Sequence, residues 1–143
     1  MDNTDLPLTQ LRHIKSLARL SDDELTTFNR YVEMLDVPRQ TVLFEEGQPG
    51  DCLYLILDGQ TRAFTRRRDG GSDTLKVLNS GETFGDIAVF HHTTRKASVE
   101  ALKDSQLLKL TAASLEKLQT EQPALSVQFL KSLTLSLGQM YSR

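Results

Sequence analysis

The chain has 143 residues, and 17 Lys and Arg against 19 Asp and Glu leave a net charge of −2, with 38% hydrophobic and 25% charged residues. That length fits one domain able to bury about two-thirds of its unfolded surface without a disulfide or metal staple, and the composition is unlike that of a disordered chain. The near-neutral charge argues against a direct nucleic-acid binder, which needs a basic face to neutralise phosphates, and one cysteine with three histidines gives neither a disulfide nor a structural zinc set.

The first residues, Met1-Asp2-Asn3-Thr4-Asp5, are acidic where a secretory leader is basic, and no apolar segment follows. With the lone Cys52, this predicts a cytoplasmic protein. The segment 1–37 reads as helical. Leu8, Leu11, Ile14 and Leu17 recur at three- and four-residue spacing, as on one face of a helix. Ser21 three residues before Glu24 is a capping box, predicting a second helix through Leu25, Phe28, Tyr31 and Val32. Pro38 closes the zone.

Over 38–110 the pattern changes to short β-rich runs cut by Gly, Asp, Asn and Pro. Thr41–Phe44 is one run, stopped by Gly47-Gln48-Pro49-Gly50; Cys52–Leu57 is another, stopped by Asp58-Gly59. Gln60–Arg68 follows, then Asp69-Gly70-Gly71, a hairpin signal, with a return run through Leu75, Val77 and Leu78. Lys96–Leu102 and Gln106–Leu110 read as further strands. The longest apolar run, Leu53–Leu57, is far short of the ~18 residues of a membrane span. Segment 111–143 is helical again: Ala112–Gln119, then a helix with Pro123 in its first turn and a stripe of Leu125, Phe129, Leu130, Leu133, Leu137 and Met140. The predicted fold is mainly β: an antiparallel β-roll, or jelly roll, with an N-terminal helical segment and C-terminal helices, as one domain over 1–143.

One stretch in the β zone does not read as strand. Between Gly81 and Phe90, Asp86-Ile87-Ala88-Val89 is long enough for a single helical turn. A lone turn recovers little of its nucleation cost, and its use becomes clear if something binds at its free N–H groups, where the dipole favours an anion. Arg95, five residues beyond Phe90, can add a bidentate fork. The carboxylate of Asp86 repels phosphate and suits a hydroxyl such as a ribose 2′-OH; capping its own short helix is an equal reading. Together these residues point to a small phosphate ester.

The run Phe84-Gly85-Asp86-Ile87-Ala88-Val89-Phe90-His91-His92-Thr93-Thr94-Arg95-Lys96-Ala97-Ser98-Val99 resembles, without a gap, the phosphate-binding cassette of cyclic-nucleotide-binding domains. Upstream, Gly50-Asp51, Leu53-Tyr54, Ile56 and Gly59 resemble the family's strand signature. The resemblance implies a non-catalytic sensor of a cyclic nucleotide. In it the Ala88 N–H approaches a phosphate oxygen, Gly85 permits close backbone approach beside the sugar, Asp86 accepts from the ribose, and Ile87 between them belongs to the same ligand-binding set. Arg95 pairs with the phosphate, a donor comes from Lys96 or Ala97, and Leu75 and Val77 wall the base. It further implies that the last helix moves on binding, with an unidentified protein effector or a homodimer through that helix as partner. Two positions depart from the family pattern: Asp86 stands where the family has Glu, and Lys96 follows the arginine where guanine-preferring relatives carry Ser or Thr. The second favours cAMP over cGMP as ligand. The alternative reading is a degenerate roll serving as a protein-interaction or dimerisation module without nucleotide.

Overall fold

The computed structural model describes residues 6–141, with side chains described except at Ile87 and 138–141. The readings placed on Met1–Asp5 and on the side chains of Ile87 and Met140 lie outside the described residues. Among the described residues, eight strands form two four-stranded sheets of antiparallel pairs. The first sheet has the order β1 (Glu33–Val37), β8 (Ser105–Thr111), β3 (Cys52–Asp58), β6 (Thr83–Phe84). The second has β2 (Val42–Phe44), β7 (Ser98–Ala101), β4 (Gln60–Arg66), β5 (Ser72–Asn79). The helices are α1 (Leu8–Arg12), α2 (Asp22–Phe28), α3 (Asp86–His91), α4 (Ala112–Glu121) and α5 (Pro123–Tyr141). This is the jelly roll with flanking helices that the residue pattern predicts.

The unbroken apolar run of β3 follows from burial on both of its faces, since alternate residues of a strand point to opposite sides. Cys52, Tyr54 and Ile56 face the roll interior with Leu78, Val99, Ala101 and Leu107. Leu53, Leu55 and Leu57 face a larger core shared with Leu11, Leu25, Leu118, Phe129 and Leu133 of the helices. So β3 is the wall between the two cores. The Phe28 and Phe129 rings meet at 4.9 Å between centroids and tie α5 to the N-terminal segment.

The N-terminal helices are shorter than the spacing predicts. Leu11, Ile14 and Leu17 are all fully buried, but Ile14 is extended (φ −76°, ψ 119°) between α1 and a 3₁₀ turn at Lys15–Leu17. There the Lys15 N–H donates to Gly81 O at 2.8 Å, so the chain breaks its helix to bond the roll. The capping box at Ser21 and Glu24 is formed, yet α2 ends at Phe28, and Asn29–Tyr31 is a 3₁₀ turn. Residues 33–37, expected in the helical zone, are strand β1. It pairs with β8 from Glu33↔Lys109 to Val37↔Ser105, a partner 68–76 positions away that no local pattern announces. The Thr111 side chain caps α4 by accepting from the Ser114 N–H, and Pro123 opens α5. Among the described residues, no helix is long and apolar enough to cross a membrane.

Phe129→Ala removes a fully buried ring from this contact, and large-to-small core changes of this kind cost ~3–5 kcal/mol. Urea unfolding of the variant is expected to give an unfolding free energy lower by that amount, with a correspondingly lower midpoint.

Candidate functional site

The site is built from two segments that approach across the mouth of the roll. The loop before β3 is laced to the segment after α3: Gly47 N–H donates to Arg95 O at 2.9 Å, Arg95 N–H to Gln48 O at 2.8 Å, and Gly50 N–H to Thr93 O at 3.1 Å. Pro49 and Thr94 form an isolated antiparallel bridge in the middle of this lacing. Gly50 is required by close approach, because a Cβ there would stand 2.2 Å from the Ala88 Cβ. The backbone of Arg95 is therefore fixed on both sides.

Helix α3 spans six residues rather than the predicted single turn of four. Its N-cap, Gly85, is left-handed at φ +83°. A Cβ at Gly85 would also lie 2.8 Å from Arg95 Nη1. Glycine serves here to make the turn and to leave room for the guanidinium. By helix geometry the N–H groups of residues 86–88 have no intrahelical acceptor. His91 ends α3 and His92 follows it in a left-handed conformation, both exposed.

Arg95 is only 3% exposed. Its Nη1 donates to Gly85 O at 2.9 Å and its Nη2 to Cys52 O at 2.5 Å, with Cys52 Sγ at 3.5 Å. Its Nε is buried without a hydrogen-bond partner. The guanidinium carbon sits 4.0 Å from the centroid of the Phe44 ring. Among the described residues it forms no ion pair with a carboxylate. A buried cation with an unused donor and no carboxylate in contact with it is suited to take up an anion.

Asp86 is 8% exposed. Burial raises its carboxyl above the ordinary value, opposed by its own backbone N–H, the Lys76 charge and the Arg95 charge. Burial likewise raises the Cys52 thiol.

Gly85, Asp86, Ala88, Arg95, Lys96 and Ala97 line one cavity of 190 Å³ together with Phe44, Ala63, Leu78, Phe84, Thr93, Thr94 and Val99. Of the predicted site residues, Leu75 and Val77 are not brought there, which corrects the expectation that they form its wall. Val77 is 41% exposed on the outer face opposite Arg62, and Leu75, 59% exposed, occupies the register shift between β4 and β5. Leu78 lines the cavity instead. Pairing is regular from Lys76 to Asn79, so Val77 and Leu78 point to opposite faces and Leu75 shares the outward side of Val77; it is the choice of face that the apolar residues alone misassign. Phe44, Phe84 and Leu78 were not singled out from sequence as site residues; only the β-rich pattern around them was readable.

The family model described as the cyclic nucleotide-binding domain matches residues 34–122. Over 125 residues the chain is 27% identical to the lysophospholipase NTE1 of Chaetomium globosum, covering 87% of this chain but 8% of that protein. It is 26% identical over 109 residues to the CRP-like cAMP-activated global transcriptional regulator of Mycobacterium tuberculosis, covering 76% of this chain and 49% of the regulator. The regulatory domain of Toxoplasma gondii PKA, crystallised with cAMP, superposes with a TM-score of 0.65 at 25% identity, over 76% of this chain and 41% of that one. The chain thus spans a small part of the lysophospholipase and about half of the regulator.

Two outcomes follow from the geometry. Gly85→Ala, forced to keep φ +83°, is expected to lose ~1–3 kcal/mol in urea unfolding, the cost of such a backbone strain. For Asp86, the folded carboxyl holds its proton to higher pH than the unfolded one. Stability therefore falls as pH rises from the ordinary carboxylate value through the folded value. Asp86→Asn is expected to raise the melting temperature at pH 7, with the gain vanishing towards pH 3.

Proposed function

Because the chain belongs to the cyclic nucleotide-binding domain family, we propose that it is a non-catalytic receptor for a cyclic nucleotide, with cAMP the preferred ligand. The observation that carries this reading is the buried guanidinium of Arg95 with its unpartnered Nε and no ion pair to a carboxylate among the described residues. A cyclic phosphate supplies the missing negative charge. In this reading Asp86, close enough to feel the Arg95 charge, accepts from the ribose hydroxyl while the N–H groups of residues 87 and 88 at the start of α3 meet the phosphate. The cavity's 190 Å³ is below the roughly 300–1,000 Å³ of sites that engulf a whole ligand. It suits the sugar-phosphate, with the base extending past Lys96 and Ala97 at the rim. The preference for cAMP is supported by Lys96 in place of a hydroxyl residue, and by relatives described as cAMP-activated or crystallised with cAMP.

Binding is read out through α5. This helix shares the larger core with β3, whose inner end supplies the Cys52 carbonyl to Arg95. The outer side of α5 exposes Val127 and Leu135 beside Arg19 and Lys131, a surface for an effector protein or a second copy. The receptor acts as one sensing domain in the cytoplasm.

Isothermal titration calorimetry with cAMP and cGMP tests the reading. A charge-assisted phosphate contact is worth ~1.5–3 kcal/mol, so Arg95→Ala is expected to weaken cAMP binding by about 10- to 150-fold, with folding checked by thermal melting. Absence of heat with both nucleotides on the wild-type chain would leave the roll as an interaction module and overturn the receptor.

A further inference from the structure

We propose that Phe44 is a positioning residue of the anion site: its ring fixes the tilt of the Arg95 guanidinium, and so the direction in which that cation meets a phosphate. The inference rests on the receptor reading above and names the residue that pre-organises its central cation.

A planar guanidinium is immobile only when both its in-plane rotation and its tilt are fixed. The bonds from Nη1 to Gly85 O and from Nη2 to Cys52 O, at 2.9 and 2.5 Å, fix the first. They leave the plane free to hinge about the line joining those two nitrogens. The Phe44 ring, 4.0 Å from the guanidinium carbon, blocks that hinge from one side and attracts the cation through its π face. Nε, without a partner, stays available as a donor.

Phe44 reaches this position because β2 carries an irregularity. Val42 pairs with Glu100 but Phe44 pairs with Val99, so two steps along β2 match one along β7. The shift turns Phe44 to the cavity side, where Val99 also lies. The ring is backed by Tyr54 and Phe84 at centroid distances of 6.2 and 6.1 Å, and those two stack on each other at 5.1 Å. The choice of a ring has a chemical reason. A carboxylate in its place would hold Arg95 equally well but neutralise it and compete with an incoming anion. An aromatic face orients the charge and leaves it unspent.

The test uses Phe44→Leu and Phe44→Met, which remove the ring but keep apolar bulk, and Phe44→Tyr, which keeps it. Calorimetry with cAMP is expected to show ~5- to 30-fold weaker binding for Leu and Met, and near wild-type affinity for Tyr, with melting temperatures close to wild type for whichever variants fold. A second readout needs no nucleotide. In ¹H–¹⁵N spectra the Arg95 Hε resonance, shielded by the ring in wild type and Phe44→Tyr, is expected to move downfield in Leu and Met. Unchanged cAMP affinity in the Leu or Met variant, or an Arg95 resonance that does not move, overturns the platform. If the wild-type chain binds neither cAMP nor cGMP, the receptor reading fails on its own, and the position of the Arg95 resonance still decides whether Phe44 orients the guanidinium.

Discussion

A guanidinium held away from water with no carboxylate in contact with it among the described residues is the constraint on which the site turns. Removing such a charge from solvent is costly unless polar groups replace the lost hydration. Here two main-chain carbonyls and one aromatic face do so, and none of them carries a formal charge. The arrangement keeps Arg95 in place while leaving its net charge intact. The features around it serve the same end. The lacing of residues 47–50 to 93–95 fixes its backbone, the left-handed Gly85 clears space for its tip, and the irregular pairing of β2 delivers the ring.

Strand β3 joins this site to the rest of the fold. One face of it lines the roll interior and the other packs under the helices. The carbonyl that holds Arg95 belongs to Cys52, and the next residue, Leu53, is fully buried in the helical core. A displacement of the guanidinium is therefore felt one peptide away from residues packed against α4 and α5. The Phe28–Phe129 contact extends the same core to the N-terminal segment. Site and helical layer thus share a structural wall.

Much of this was legible in the residues because it is local. The capping box at Ser21, the hairpin at Asp69-Gly70-Gly71, the apolar run of β3, the Pro123 helix start and the cassette from Phe84 to Val99 each express short-range chemistry. What escaped is non-local. Strand β1 exists through its pairing with β8, and its residues show no clean alternation of burial. The break at Ile14 is set by a bond to Gly81 in the roll. Leu75 and Val77 were misplaced because apolar residues stand on both faces of β5 and only the packed sheet shows that Leu78 is the inward one. Phe44 was passed over because the irregular register of β2 changes which side chains face inward, and an extra residue in a strand leaves no mark in composition.

The contact between Gly50 and Ala88 has its own consequence. With the two backbones so near that a single methyl at position 50 would overlap the methyl at 88, the pair is already at the smallest combination that leaves a side chain on the helix. Neither position can grow unless the loop and the helix part, and parting them would unlace the segment that carries Arg95. A residue with no chemistry of its own is thereby as restricted in what may replace it as the cation it helps to seat.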